Sequence, residues 1–238
     1  MNDDRQEILR QFEGLRVTDV VDAMDGVGYF DRGQVSPNIR PLWRDIDQFK
    51  HRIYGIAHTV RFIPTDKPVP RLGDSFDAWR KWVGEGYGLA QGPMNDDIQP
   101  GDVIVIDGEN CGTTGFIGSN NSLAWLAAGA VGAVTNGGCR DTDELIKQQV
   151  PVYSRYISKT IRPGRLELDA LQVNVNIGGA VVRPGDVIAA DGDGVVCVPR
   201  QIAAKVAEYA AIVAEGDKKG RRKLYETLGK PADFTVEA

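Results

Sequence analysis

Residues 100–145, PGDVIVIDGENCGTTGFIGSNNSLAWLAAGAVGAVTNGGCRDTDEL, alternate short apolar runs with glycine-rich turns and helical segments. Pro100-Gly101-Asp102 is a turn signal. It leads into 103–106, a β-branched run of the kind that fills a strand buried on both faces. Residues 108–118 form a glycine-rich loop. SNNSLAWLAAGA (119–130) then reads as a helix, with Ser119 or Asn120 placed to accept from the N–H groups that a first turn leaves unpaired. Residues 132–135 read as the next strand, 136–139 as a tight loop and 141–149 as a second helix. Strand, loop and helix in repetition is the βαβ pattern of a parallel sheet, joined by right-handed crossovers. Both loops then fall at the carboxyl ends of neighbouring strands, where open α/β sheets place ligands.

On the N-terminal side, 3–13 and 17–25 read as helices, with Thr18 and Asp19 as candidate caps. Residues 26–41 are turn-rich, with Pro37 and Pro41, and 56–62 read as a strand. Within 73–91, Phe76, Trp79 and Trp82 recur every third residue, the apolar stripe of a helix packed on a core or on another subunit. On the C-terminal side, 173–177, 180–182, 187–190 and 195–198 read as short strands. Gly178-Gly179, Pro184-Gly185 and Asp191-Gly192-Asp193-Gly194 separate them. Pro199 and Arg200 open a helix to about 215, and 216–238 is a charged tail. PGDVIVIDG (100–108) and PGDVIAADG (184–192) are near-copies. Their flanks do not match and no fixed period continues, so they read as one turn-plus-strand chemistry arising twice.

Composition narrows the function classes. In 238 residues, 28 Lys and Arg stand against 33 Asp and Glu, a net charge of −5. That is the wrong sign for a nucleic-acid surface. No apolar run reaches the roughly 18–20 residues a membrane span needs, and the acidic start lacks the marks of a signal peptide. The expectation is a cytoplasmic protein with neither nucleic-acid nor membrane partner. Cys111, Cys139 and Cys197 show no CxxC spacing, which gives no support to a disulfide framework or zinc site. With His51 and His58 the only histidines, an active site has to run on carboxylates, arginine and backbone amides.

Two segments carry candidate chemistry. The helix start Gly118-Ser119-Asn120-Asn121 offers free amides and the positive end of a helix dipole to a small anion, or is an ordinary capped helix. It lacks the lysine of a phosphate-binding P-loop and does not match GxGxxG. Arg140 supplies a planar fork suited to a carboxylate or enolate. Asp141 beside it is able to hold a hard cation such as Mg²⁺, which takes few protein carboxylates. The plain alternative makes Asp141 or Thr142 a helix cap with Glu144 completing a capping box. Asp191-Gly192-Asp193-Gly194 lacks the later ligands of a calcium loop and reads as a β-turn. His58 reads as a packed imidazole, and Cys139 as a possible pocket residue with no mark of a nucleophile. No Ser/His/Asp triad assembles.

GSNNSLAWLAAGAVGAVTNGGCRDTDEL (118–145), PGDVIVIDG (100–108) and GRLELDALQVNVNIGGAVVRPGDVIAADGDGVVCVP (164–199) together resemble the RraA-like family, and VTDVVDAMDG (17–26) resembles its N-terminal segment. That family includes 4-hydroxy-4-methyl-2-oxoglutarate aldolases, a regulator of ribonuclease E, and chains mislabelled as menaquinone methyltransferases. The resemblance implies an α/β, three-layer β/β/α swivelling fold with N-terminal helices and a C-terminal helix. It implies a single domain over 1–238, with an N-terminal helical segment (1–50), a core (51–215) and a tail (216–238), assembled as a homotrimer or homohexamer. By the same resemblance Gly118, Ser119, Asn120 and Asn121 bind substrate, Arg140 contacts a pyruvyl group, and Asp141 holds Mg²⁺ or Mn²⁺, with Glu144 behind it.

The implied activity is a metal-dependent lyase that cleaves a short 2-oxo acid to pyruvate, by retro-aldol cleavage or oxaloacetate decarboxylation. Two other readings stay open: a binding protein of the ribonuclease E inhibitor type, and an isomerase of a hydroxylated acid on the same site. The chain departs from the aldolase pattern at one position. Where that pattern has an aspartate 21 positions before the arginine, this chain has Ser119. A serine still binds water but is no base at neutral pH. Asn120 and Asn121 stand where apolar residues are common, which implies a more polar substrate.

Overall fold

The computed structural model describes residues 2–71, 73, 75–91, 94–108 and 111–237. In chain order the elements are α1 (Asn2–Phe12), α2 (Val17–Gly26), β1 (Arg40–Pro41), β2 (Ile53–Pro64), α3 (Phe76–Gln91), β3 (Asp102–Asp107) and β4 (Gly115–Ile117). There follow α4 (Ser119–Ala127), β5 (Gly132–Cys139), α5 (Thr142–Lys147), β6 (Val152–Ile157), β7 (Leu166–Leu171), β8 (Val175–Ile177), β9 (Ala180–Val182), β10 (Val187–Asp191), β11 (Gly194–Val198) and α6 (Ala203–Leu228).

A nine-stranded mixed sheet runs β1-β6-β5-β3-β2-β10-β11, with β4 added beside β5 and β7 beside β2; β8 and β9 pair separately. The parallel pair β3–β5 is the expected βαβ unit, and β6 continues it on the far side of β5. Alternation along the strands sorts the side chains into layers. Val187 and Ala189 of β10, with Val196 and Val198 of β11, face α1, α2 and α6 through Phe12, Val20, Met24 and Val206. Their neighbours Ile188, Ala190 and Cys197 face the other way, onto Val175 and Ile177 of β8 and Ala180 and Val182 of β9. The result is a three-layer β/β/α arrangement. A third core joins Ile104 and Ile106 of β3 to Phe116, Trp125 and Leu145, and it seats α4 and α5 on the sheet.

The structure departs from the sequence reading at several points. The loop at 108–118 holds β4, and 136–139 continues β5 instead of turning; Glu109 and Asn110 of that loop, and Asp74 of the 73–91 stretch, lie outside the described residues. β1, β6 and β7 were not legible. β7 reads LELDAL, a composition as good for helix as for strand. The helix expected to stop near 215 runs to Leu228 and ends at Gly229, whose φ of 62° is the left-handed conformation of a C-terminal cap. At α2 the cap position belongs to Arg16, whose N–H donates to Asp19 Oδ2 at 3.0 Å. Of the aromatic stripe, Phe76 is 68% exposed and Trp79 40%, stacked on each other, so these two rings do not enter the core of this chain. No helix among the described residues is long and apolar enough to cross a membrane.

Candidate active site

The three residues of β4 bring the two candidate segments together. β4 runs parallel to β5 with Ile117 opposite Cys139, so both strands end at one level. The Arg140 N–H donates to Ile117 O at 2.8 Å and ties the exits together. Gly118 then caps α4 with extended backbone, while Asp141 caps α5 at φ 56°, ψ 43°. A left-handed conformation costs a non-glycine residue roughly 1–2 kcal/mol. It also turns the Asp141 carboxylate away from its own helix, where it makes no cap bond. The carboxylate instead reaches α4. Oδ2 accepts from Ser119 N at 3.1 Å and from Ser119 Oγ at 3.3 Å, and Oδ1 accepts from Arg140 Nε at 3.0 Å.

Two glycines make this approach possible. A Cβ on Gly118 would lie 2.9 Å from Asp141 Oδ2, and one on Gly115 would lie 2.8 Å from Thr160 O and 3.1 Å from Arg140 Cδ. Burial pushes the Asp141 carboxyl up, but the Arg140 guanidinium and the Ser119 amide and hydroxyl outweigh it, holding the group below the ordinary carboxylate range. Asp141 is therefore ionised at neutral pH, at the positive end of α4.

Beside this pair lies a cavity of about 310 Å³, lined by Arg140, Asp141, Gly118, Asn120 and Asn121. Phe116 and Tyr87 add aromatic wall, and Arg162 a second guanidinium. Arg162 is 1% exposed, with its guanidinium 5.5 Å from the Phe62 ring centroid and 5.7 Å from that of Tyr87. Burial pulls its pKa down to about 10, which leaves it cationic at neutral pH. Sequence reading missed Arg162, Tyr87 and Phe116. The one cue for Phe116 was the apolar pair Phe116-Ile117 immediately before the helix start. Arg162 and Tyr87 carried none, since a loop and α3 deliver them from far along the chain.

Of the expected site residues, the structure brings Gly118, Ser119, Asn120, Asn121, Arg140 and Asp141 to one place, with one change of role. The Ser119 N–H is taken by Asp141, leaving the amides of Asn120 and Asn121, which the helix's own ladder does not use, for an anion. Glu144 is exposed on α5 and does not line the cavity. Cys139 is fully buried with Sγ 3.1 Å from Ser154 Oγ, and burial raises its thiol, so it is not a pocket residue. His58 is buried beside Gln172 Nε2 at 2.8 Å, away from the cavity. Asp191-Gly192-Asp193-Gly194 is the β10–β11 hairpin turn: Asp191 accepts from Asp193 N at 2.8 Å and from Val17 N at 2.9 Å.

No cluster of three or more His, Cys, Asp or Glu that would cage a metal occurs among the described residues. Asp141 alone fits a different type of site. An ionised carboxylate has about four lone-pair positions, and the three hydrogen bonds to Asp141 leave one on Oδ1. That suits a Mg²⁺-type cation held by one protein bond and otherwise by water or substrate.

Comparison with known proteins adds a family. Residues 17–197 match RraA-like, described as Aldolase/RraA. A protein of Halalkalibacterium halodurans named provisionally as a 4-hydroxy-4-methyl-2-oxoglutarate aldolase is 25% identical over 224 residues, 93% of this chain and 90% of its own. The 4-hydroxy-4-methyl-2-oxoglutarate aldolase of Thermus thermophilus is 34% identical over 104 residues, 42% of this chain and 60% of its own. The crystal structure of Streptomyces coelicolor RraAS2, described as an unusual member of the RNase ES inhibitor RraA protein family, matches with TM-score 0.69 at 22% identity. That match covers 90% of this chain and 96% of the other, a likeness of fold.

Proposed function

The chain belongs to the RraA-like family, and on that footing we propose that it is a divalent-metal-dependent lyase releasing pyruvate from a short 2-oxo acid, a 4-hydroxy-2-oxo acid or oxaloacetate. One observation carries the reading. The Asp141 carboxylate sits on the first amide of α4, bonded to Arg140, at the wall of a cavity that both residues line.

The amides of Asn120 and Asn121, at the positive end of α4, hold the carboxylate of the 2-oxo acid. Asp141 would hold the cation, which when bound would supply Lewis-acid polarisation of a 2-oxo group. When the C3–C4 bond breaks, its electron pair moves toward the 2-oxo oxygen. The Arg140 guanidinium is placed to stabilise the negative charge that develops there. In the aldol case the C4 hydroxyl gives up its proton to water and the C4 fragment leaves as a carbonyl compound; from oxaloacetate it leaves as CO₂; in either case a proton on C3 completes pyruvate. Asp141 is the only carboxylate lining the cavity among the described residues, and it is occupied. The proton therefore comes from water or from a carboxylate of a second copy in a homotrimer or homohexamer.

The test is pyruvate release from oxaloacetate and from a panel of 4-hydroxy-2-oxo acids, with Mg²⁺ or Mn²⁺ and with EDTA. Metal-dependent release from at least one of them is expected. Absence of release from all, or release indifferent to EDTA, overturns the reading.

A further inference from the structure

A second basin, of about 490 Å³, shares no lining residue with the first. The start of α2, the turn before β2, the later turns of α6 and the chain end enclose it. Its apolar wall is the pair Phe49 and Phe234, ring centroids 4.9 Å apart and inclined at 74°. The wall on the chain-end side is fastened. Arg221 donates from Nε and Nη2 to Thr235 O, each at 3.3 Å, Arg222 Nε donates to Val236 O at 2.9 Å, and Val236 is buried.

The charges lining this basin are unbalanced. Arg16, Arg52, Lys218 and Arg221 face a single lining carboxylate, Asp19, in a chain whose net charge is −5. Arg16 is committed to Asp19 and Asp217. Arg221 is committed to the Thr235 carbonyl, with Asp217 at 3.7 Å. Arg52 and Lys218 have no carboxylate partner among the described residues. The Arg52 guanidinium lies over Phe49, its Cζ 3.9 Å from the ring centroid, and its Nε is buried with no hydrogen-bond acceptor. Buried donors left unpaired are rare in native structures, and this one belongs to a cation on an aromatic wall.

We infer that this basin binds a small organic anion with a flat apolar body, its acidic oxygens on Arg52 and Lys218 and its body against Phe49 and Phe234. The volume falls in the range of small-ligand pockets. An inorganic anion would leave the phenyl rings unused, and a neutral apolar molecule would leave the cations unpaired.

The test is a fluorescence titration of the full chain with the aromatic sulfonate 1-anilinonaphthalene-8-sulfonate as probe. Saturable binding at one site per chain is expected. Lys218→Gln, at a partly exposed position on α6 and with the melting temperature measured beside it, should weaken it at least about tenfold, the scale of a lost charge-assisted contact. Arg52→Gln should do the same, and the neutral N-phenyl-1-naphthylamine should bind at least about tenfold more weakly than the sulfonate. Asp141→Ala should leave the titration unchanged. The inference is overturned if Lys218→Gln binds like wild type, if the neutral analogue binds as well as the sulfonate, or if inorganic phosphate displaces the dye.

Discussion

The two cavities handle positive charge in opposite ways. At the first, a cation and a carboxylate share one turn. Arg140 and Asp141 are bonded to each other, both side chains about one-third exposed, with the carboxylate set on a neighbouring helix. At the second, Arg52 and Lys218 line a basin with an apolar wall and form no ion pair with a carboxylate among the described residues, its one lining carboxylate, Asp19, being bonded to Arg16. A bonded pair on a helix start is pre-set for charge that shifts during a reaction, whereas cations outside any ion pair, beside phenyl rings, suit a ligand that arrives already charged and stays so. Chemistry is accordingly assigned to the first cavity and binding to the second.

The largest separation between them comes from removing either member of the pair. Asp141→Ala and Arg140→Ala should each lower kcat/KM for pyruvate release by about 10²–10³-fold, the usual cost of losing one transition-state electrostatic contact. Lys218→Gln should leave that rate unchanged, and steady-state kinetics on the three variants checks both statements. Gly118→Ala comes next. Its Cβ would sit 2.9 Å from Asp141 Oδ2, pushing the carboxylate off the helix start, and a displacement of that order costs on the order of 10-fold to 100-fold in rate. Its melting temperature, read beside the kinetics, should fall far less than its rate.

Ser119→Ala is milder. It deletes the 3.3 Å hydroxyl contact to Asp141 but keeps the 3.1 Å amide bond, so a loss of about 2-fold to 5-fold in kcat/KM is expected, in line with one modest hydrogen bond. The smallest change is with acid. Because the folded-state pKa of Asp141 lies below its ordinary value of 3.8, the stability it contributes is fully present above that value and is lost as pH falls through the lower folded one. The stability difference between wild type and Asp141→Asn, followed by urea unfolding, should thus stay flat from about pH 7 to pH 5 and shrink only near and below pH 4.

The parts of this arrangement that local chemistry dictates were legible in advance. The near-copies at 100–108 and 184–192 build the same turn. Asp102 Oδ2 accepts from Gln99 N at 2.7 Å and Asp186 Oδ2 from Arg183 N at 2.9 Å, behind Gly101 and Gly185 at φ 84° and 90°. What local chemistry does not dictate is direction: β3 runs parallel to β2 and β10 antiparallel, on its two sides. The site divides along the same line. Arg140, Asp141 and the helix start at Gly118 stood out by residue type and by resemblance. The joint that unites them, β4 against β5, is three residues inside a glycine-rich loop whose pairing is long-range. Arg162 and Tyr87 reach the cavity only through tertiary packing. The reach of α6 beyond 215 was hidden because Gly216 and Gly220 weaken the helical pattern without ending it.

Pyruvate release by wild type and by Asp141→Asn, measured side by side with Mg²⁺, with EDTA, and with Mg²⁺ restored, puts the role of this carboxylate to proof. The asparagine keeps the shape of the side chain while removing the charge that would hold the cation. Wild type should lose its activity in EDTA and regain it with metal, while Asp141→Asn stays at background in all three conditions with an unchanged fold. Equal rates for the two proteins, or a wild-type rate that EDTA does not touch, would contradict the account.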